Sequence, residues 1–203
     1  MPGHRAPDGD AWGDMDEEIV EALDLEAVER CMAGDGKAFG RLVERHGPTI
    51  HGLCLRMVQN RAVAEELAQE TFARAYSGLG SFRRDARLKS WLLRIAVNLC
   101  RDWLKAGQRR EGGAEDEEYG GTHDPAPDPE RRAAGREELR ALEAAIARLP
   151  ATYREAFLLK HVEELSYEEI QNVVGGGIPM LKVRVFRARE MLRKLMAETE
   201  SQA

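Results

Sequence analysis

Two neighbouring amphipathic segments with oppositely charged faces lie between residues 61 and 105, and they constrain the fold more than any other feature. In the first segment, apolar side chains recur at the three- and four-residue steps of one helix face: Ala64, Leu67, Ala68, Phe72, Ala75 and Tyr76. The face opposite this stripe carries Glu65, Glu66, Gln69 and Glu70. The second segment has an apolar stripe on one face and polar or basic residues on the opposite face. The stripe is Leu92, Ile95, Ala96, Leu99 and Trp103, and the opposite face carries Arg94, Asn98, Arg101 and Lys105. Because each helix must bury its stripe against another element, we predict an all-α bundle.

The two charged faces suit different partners. An acidic and amide face suits a protein partner, whereas a basic face suits phosphate groups. By charge alone, ordinary solvated surface is the favoured interpretation of both faces.

The rest of the first half also carries helical spacing. It begins near Leu25, and one of its helices is predicted to end at His46–Gly47, before Pro48. We therefore predict four helices packed around Trp91 and Ile95. Residues 1–24 mix Gly, Pro and Asp with little to bury, and we predict that they form a disordered acidic tail.

The net charge of −6 conceals a basic region. Residues 1–24 carry −7, residues 25–110 carry +7, residues 111–135 carry −6 and residues 136–203 are neutral. The negative total therefore resides in the tail and in a central segment. The first helical region is basic enough to contact nucleic acid.

The second half is predicted to be a separate helical domain. Residues 111–129 hold four glycines, three prolines and seven acids, so we predict a flexible acidic linker over 111–135. In the following domain, 136–198, Ser166 and Glu169 have the spacing of a capping box that opens a short helix. Three glycines end that helix, and Pro179 then stands at the start of another. Helix, tight turn and helix is the helix-turn-helix arrangement, and six basic residues against one acid between 182 and 194 fit DNA binding. Residues 199–203 are left as a C-terminal tail.

Other classes of protein are disfavoured. Cys31, Cys54 and Cys100 have neither disulfide nor zinc spacing, which indicates small buried thiols in a reducing compartment. No apolar run approaches the ~18 residues of a membrane span, and the N-terminus lacks the order of a signal peptide. No phosphate loop or nucleophile arrangement is present. We predict a cytoplasmic protein that is not an enzyme, uses no cofactor or metal and does not insert into a membrane.

Several stretches closely resemble one family. LAQETFARAY at 67–76, Phe82–Arg83, and SWL at 90–92 followed by RIA and Asn98 resemble the conserved domain of sigma factors. The resemblance is to the extracytoplasmic-function (ECF) group, the small alternative promoter-recognition subunits of bacterial RNA polymerase. LSYEEI at 165–170 and KVRVFRARE at 182–190 resemble the second sigma domain.

The resemblance implies two domains and a role for each. Residues 25–110 would bind core polymerase and recognise and melt the −10 element, and residues 136–198 would read the −35 element. The implied contacts with the β′ clamp helices are Glu66, Gln69 and Glu70. The implied −10 contacts are Ser81, Phe82, Arg83, Arg84, Lys89, Trp91, Arg94, Asn98 and Arg101, with the loop at 78–87 holding an unstacked base. Trp91 is at least equally consistent with a core position. The implied −35 contacts are Lys182, Val183, Arg184, Phe186 and Arg187.

The implied partners are core RNA polymerase, through its β′ clamp helices and β subunit, promoter DNA, and an anti-sigma factor. The linker would either thread near the polymerase active-site and RNA-exit channels or serve as a plain tether. Three departures from the family stand out. Leu88 replaces a common Phe, Val183 replaces a small polar residue, and the turn reads GGGIPML. Val183 can contact a thymine methyl but cannot hydrogen-bond, and the glycines are expected to loosen the turn, so we expect an unusual or weak −35 preference. Two alternatives are a stand-alone helix-turn-helix regulator and a helical adaptor that binds only protein.

Overall fold

The computed structural model describes residues 17–83, 86–110 and 133–200. Within those ranges the chain forms eight α-helices and one 3-10 turn and contains no strand, which confirms the all-α prediction. Arg84, the first 16 residues and most of the predicted linker lie outside the described residues.

The first four helices form one bundle: α1 (Glu17–Met32), α2 (Gly36–Val58), α3 (Arg61–Gly78) and α4 (Leu88–Arg110), with a 3-10 turn at Leu79–Ser81 before α4. Trp91 and Ile95, predicted at its centre, are instead half-buried. The centre is filled by α4 residues beside them, Leu92, Leu93, Ala96 and Val97, all at most 2% exposed. The shift arises because α4 is packed on several sides, by α2, α3 and a helix of the second domain.

Helix α1 begins at Glu17, which corrects the prediction that helical structure starts near Leu25 and that residues 17–24 belong to the tail. The cause is a buried ionic contact. Asp24 is 3% exposed and accepts hydrogen bonds from Arg45 and, at 2.8 Å, from His46 Nε2. Because a buried carboxylate needs such partners, this contact ties α1 to α2. Local composition gave no sign of it.

Helix α2 continues through Pro48, whereas the sequence predicts an end at His46–Gly47. A proline inside a helix removes one backbone hydrogen bond and crowds the preceding turn. Gly47 relieves part of that crowding because it has no side chain against the proline ring. Leu42 and Ile50, each 1% exposed, hold both halves of α2 on the same core. Tertiary packing therefore outweighs the local break.

The second domain contains α5 (Ala133–Ala147), α6 (Ala151–His161), α7 (Tyr167–Val174) and α8 (Ile178–Glu200). The predicted capping box is confirmed, since Ser166 Oγ accepts from the Glu169 N–H and Glu169 Oε2 accepts from the Ser166 N–H at 2.8 Å. Between α7 and α8, Gly175 and Gly176 have φ angles of 77° and 85°. Glycine is the residue that adopts such angles without steric cost.

The two domains pack directly on each other, α4 against α7 and α2 against α5 and α6. Arg154 of α6 is 3% exposed and binds across the boundary. Its Nη1 donates to the Met57 carbonyl at 2.7 Å, and its Nη2 donates to those of Ala147 and Leu149, each at 2.9 Å. One guanidinium thus satisfies carbonyls at the C-terminal ends of α2 and α5, where a positive charge is favourable. Burial lowers the pKa of Arg154 to about 10, so it stays charged at neutral pH.

Candidate functional site

The acidic face of α3 is fully presented to solvent. Glu66, Gln69 and Glu70 are exposed on the side opposite the buried Ala64, Ala68 and Ala75. Glu70 accepts from Arg74 at 2.7 Å on the same helix, an exposed pair of little energetic weight. The predicted polymerase-contact residues therefore lie together on one accessible face.

A shallow groove of about 440 Å³ runs beside that face, between α2 and α3. Its floor is apolar, with Ala68 and Phe72, and Gln69 stands on its edge. His51 also lines the groove, and its Nε2 atom is buried without a hydrogen-bond partner in the structure. The acidic face is thus bordered by a concave surface that can receive a side chain from a partner.

The loop before α4 is organised by two aromatic rings. Phe82 and Trp91 are both half-buried, with ring centroids 5.3 Å apart. Ser81 and Arg83 are exposed beside them, and Ser81 Oγ donates to the Gly78 carbonyl at 2.7 Å. Trp91 therefore packs on the rim of the loop, between the core position and the open DNA-stacking position that the sequence left as alternatives. Leu88, where the family often has Phe, is 3% exposed and lies in the core.

The basic face of α4 is divided into an open and a covered part. Arg94 and Asn98 are exposed. Arg101 instead contacts the second domain: its Nε and Nη2 donate to the two Glu155 carboxylate oxygens, each at 2.6 Å. Lys89 is likewise occupied, because its Nζ lies 3.2 Å from the Glu163 carboxylate.

The acids that cover this face are themselves buried. The side chains of Glu155 and Glu163 are only 4% and 6% exposed. A third contact joins Arg87, before α4, to Glu169 of α7 at 3.8 Å. Carboxylates of the second domain therefore occupy Lys89 and Arg101, two of the predicted −10 contacts, and also contact Arg87. Water screens the Arg101–Glu155 pair least, since it is the most buried of the three, so Coulomb attraction is strongest there.

Sequence reasoning missed this interdomain layer. The layer contains Lys89 and Arg101, which were predicted as DNA contacts. It also contains five residues that were not predicted to have a role: Arg87, Arg154, Glu155, Glu163 and Glu169. One signal was available, since Arg154 and Glu155 lie between apolar residues in ATYREAFLL at 151–159. Charged residues in an otherwise apolar helix are rarely buried unless paired.

Helix α8 presents the predicted DNA-reading residues. Lys182, Val183, Phe186 and Arg187 are exposed, and Arg184 is half-buried. Lys182 Nζ lies 5.6 Å from the centre of the Tyr167 ring at the start of α7. Leu181, Val185, Ala188 and Leu192 are buried on the opposite side. The helix thus packs on its own domain through one face and leaves the cationic face free.

The described residues contain no group of His, Cys, Asp and Glu side chains that could hold a metal ion. None of the helices in those same ranges has the length and apolar content needed to cross a membrane. The site therefore consists of charged surfaces, acidic on α3 and basic on α4 and α8.

Comparison with known families identifies the class. Residues 42–110 match the family model for Sigma-70 region 2, and residues 139–192 match the model for Sigma-70 region 4. The first match begins within α2 and runs to the end of α4, and the second falls on the helix-turn-helix domain.

Characterised relatives span nearly the whole chain. The RNA polymerase sigma-H factor of Pseudomonas aeruginosa is 37% identical over 185 residues, which covers 88% of this chain and 96% of the relative. The ECF RNA polymerase sigma-E factor of Haemophilus influenzae is 38% identical over 179 residues, which covers 85% and 94%. The solved structure of the sigma factor RpoE in complex with the anti-sigma factor NepR from Bartonella quintana matches with a TM-score of 0.64. It is 25% identical and covers 79% of this chain and 98% of that one.

The chain belongs to the ECF group of the sigma-70 family of RNA polymerase sigma factors. It is an alternative sigma factor that directs transcription initiation, as the sequence predicts. The interpretations as a stand-alone regulator or an adaptor do not account for the match to both sigma regions.

Proposed function

We propose that three faces divide the work of this sigma factor. The acidic face of α3, with Glu66, Gln69 and Glu70, binds the β′ clamp helices of core polymerase. The loop before α4 and the basic face of α4 bind the −10 element, and the outward face of α8 binds the −35 element. The observation that carries this proposal is that the three faces lie on separate elements, each with the charge its partner requires, and that those of α3 and α8 and the Arg94–Asn98 part of α4 are open to solvent.

The α3 face has the properties of a steering surface. Exposed carboxylates attract a basic coiled coil, and the neighbouring groove of α2 and α3 accepts an apolar or aromatic side chain from it. Charge then sets the orientation of docking, while the groove supplies desolvated contact area.

Binding of the −10 element by the whole of α4 requires the domains to separate. Arg94 and Asn98 are available as the chain stands, but Arg101 and Lys89 must exchange Glu155 and Glu163 for DNA phosphates. Phe82 and Trp91 then offer aromatic surface beside an unstacked base. Docking of α3 on core polymerase and of α8 on the −35 element would supply the free energy for this exchange.

We further propose that the protein acts in the cytoplasm, without catalytic activity of its own, and that an anti-sigma factor restrains it. Support for the last point comes from the matched RpoE structure, which was solved with an anti-sigma factor bound.

In vitro transcription with sigma-free core polymerase and a genomic promoter pool tests the assignment. The protein should produce new start sites that share elements about 10 and 35 base pairs upstream. Replacing Glu66, Gln69 and Glu70 together with Ala should weaken core binding about tenfold or more, because all three lie on the docking face. Core binding is measured by fluorescence anisotropy of the labelled protein.

A control variant and an α8 variant separate the roles of α3 and α8. Glu18→Ala with Glu26→Ala removes two exposed carboxylates from α1 and should leave core binding unchanged. Arg184→Ala with Arg187→Ala should spare core binding and abolish promoter-specific transcription. Wild-type core binding by the triple α3 variant would exclude α3 as the docking face, and wild-type transcription by the α8 variant would exclude α8 from promoter recognition.

A further inference from the structure

The outermost line of α8 is apolar rather than polar. Val183 is 57% exposed and Phe186 is 60% exposed, each in the first half of the helix. Met180, another exposed apolar residue of that turn, lies against the turn itself, because its Cε atom is 2.3 Å from where a Cβ on Gly176 would stand. Exposed apolar side chains on a cationic helix are not explained by packing within the chain. They mark a contact surface.

Helix geometry places Val183 at the centre of that surface. Successive residues turn by about 100° around the helix axis. On that wheel Val183 lies opposite the middle of the buried face, which consists of Leu181, Val185, Ala188 and Leu192. Phe186 lies on one side of Val183 and Arg187 on the other. When α8 enters a groove, Val183 is therefore the side chain that points at the floor.

The charges around this line favour DNA over a protein partner. Lys182, Arg184 and Arg187 flank Val183, and the first acid on the outward side is Glu190, which pairs with Arg193. A protein with an apolar pocket would have to bury these cations, at a high desolvation cost. In a major groove the cations meet phosphates on both walls while the apolar line faces the bases.

The chemistry of the groove then selects one base. Among the base edges of the major groove, only thymine presents a methyl group. An isopropyl group has no donor or acceptor, so it leaves the polar edge of cytosine, adenine or guanine without a hydrogen bond after water is displaced. We propose that Val183 and Phe186 form a methyl-recognition site that selects thymine at one or two positions of the −35 element. This inference rests on the proposed docking of α8 in the major groove.

The test uses holoenzyme and promoter duplexes in which each −35 thymine is replaced in turn by deoxyuridine, which removes only the methyl group. At one or two positions binding should weaken about fourfold, which corresponds to ~0.8 kcal/mol for one buried methyl. At the same positions, 5-methylcytosine should bind about fourfold more tightly than cytosine. Filter binding or anisotropy measures both differences.

Variants tie the effect to α8. Val183→Ala should reduce the thymine-to-deoxyuridine difference at one position, and Phe186→Ala should reduce it at that position or its neighbour. Both residues are exposed, so neither change should alter the melting temperature. Val183→Thr keeps the shape, adds a hydroxyl and should relax the preference for thymine over cytosine.

The outcomes distinguish this inference from the proposed function. If scrambling the −35 element has no effect on binding, α8 does not read it and the proposed function fails at that face. If scrambling weakens binding but deoxyuridine equals thymine at every position, the methyl site is wrong while the role of α8 stands. A deoxyuridine effect that persists unchanged in both alanine variants also overturns the methyl site, because other residues then read the methyl.

Discussion

At the scale of single residues, a buried carboxylate joins the first two helices of the first domain. Asp24 accepts from Arg45 and His46, and its side chain is only 4% exposed. Asp24→Ala removes the shared acceptor and should lower the free energy of unfolding by about 3 kcal/mol, since breaking a buried ion pair strands its partners. Thermal unfolding followed by circular dichroism measures the loss. Glu26→Ala on the same helix, an exposed residue 3.8 Å from Arg30, should change stability by less than about 0.5 kcal/mol. Equal effects of the two changes would contradict this role of Asp24.

A second residue-scale prediction concerns pH. Partial burial raises the pKa of Glu169, but the Ser166 N–H and hydroxyl, with Arg87 and Lys89, together hold it below its ordinary value. A carboxylate with a depressed folded-state pKa stabilises the fold above its unfolded pKa, about 4.3, and that contribution is lost as pH falls through the folded pKa. Glu169→Gln keeps the capping geometry and removes the charge. Its stability should therefore fall less steeply than that of wild type below about pH 5.

Urea denaturation across that pH range measures the difference. The matched control is Glu168→Gln, which removes an exposed charge from the same helix turn. Identical pH slopes for wild type and Glu169→Gln would show that the charge, as distinct from the cap, contributes nothing.

At the scale of the elements, the turn between α7 and α8 shows why three glycines differ in importance. Gly176 has a φ of 85°, and a Cβ there would stand 2.3 Å from Met180 Cε. Gly176→Ala should cost about 1–2 kcal/mol, the penalty of a left-handed backbone for an L-residue. Gly177 has no such φ, and a Cβ there would meet only Pro179 Cδ at 3.7 Å. Gly177→Ala should therefore be neutral or stabilising by about 0.4–1 kcal/mol.

Melting temperatures of the two alanine variants check this prediction. Affinity for the −35 element should follow the same order if the turn sets the angle of α8. Equal melting temperatures would show that the turn is not held at the left-handed angles. Whether three glycines weaken −35 recognition stays a prediction that the Gly177→Ala variant tests directly.

The helices also show how much of the fold could be predicted from the sequence. Helices α3, α4 and α7 were predicted because each has a periodic stripe or a capping pair within a few residues. The predicted start of α1 was wrong because Asp24 contacts a residue 21 positions away. The predicted end of α2 was wrong because core packing on both sides of Pro48 keeps the helix continuous. Local sequence patterns predict interactions between residues that are close in sequence. These two boundaries depend on contacts between residues that are distant in sequence, so local patterns could not predict them.

The same limit applies to the candidate site. The faces of α3 and α8 could be predicted, because helical spacing alone decides which residues share a side. The covering of Lys89 and Arg101 could not, since Glu155 is 54 positions from Arg101 and no periodicity relates the two. Docking of one domain on another depends on the complementarity of two surfaces. The sequence of one surface does not indicate which other surface it contacts.

At the scale of the whole molecule, the last prediction concerns the docking of the second domain on α4. Glu155→Gln with Glu163→Gln preserves side-chain shape and removes the two carboxylates that cover α4. Arg101 and Lys89 then keep only neutral acceptors, among them the Val174 and Glu163 carbonyls, and the loss of both carboxylates should weaken the interface by about 1–3 kcal/mol. The domains should separate, with a larger radius of gyration in small-angle scattering. Binding of single-stranded −10 DNA by the holoenzyme should strengthen, because the cations no longer have to leave carboxylates.

Two comparisons make this result specific. Glu190→Gln removes a charge that pairs within α8, so it should leave both the radius of gyration and −10 affinity unchanged. In wild type, added salt should open the molecule less than the double substitution does, because pairs as buried as Glu155 with Arg101 are poorly screened. If the double variant is as compact as wild type, the carboxylates do not hold the domains together. The apolar packing of α4 on α7, together with the buried Arg154 that bridges α2 and α5 through backbone carbonyls, would then be what holds them.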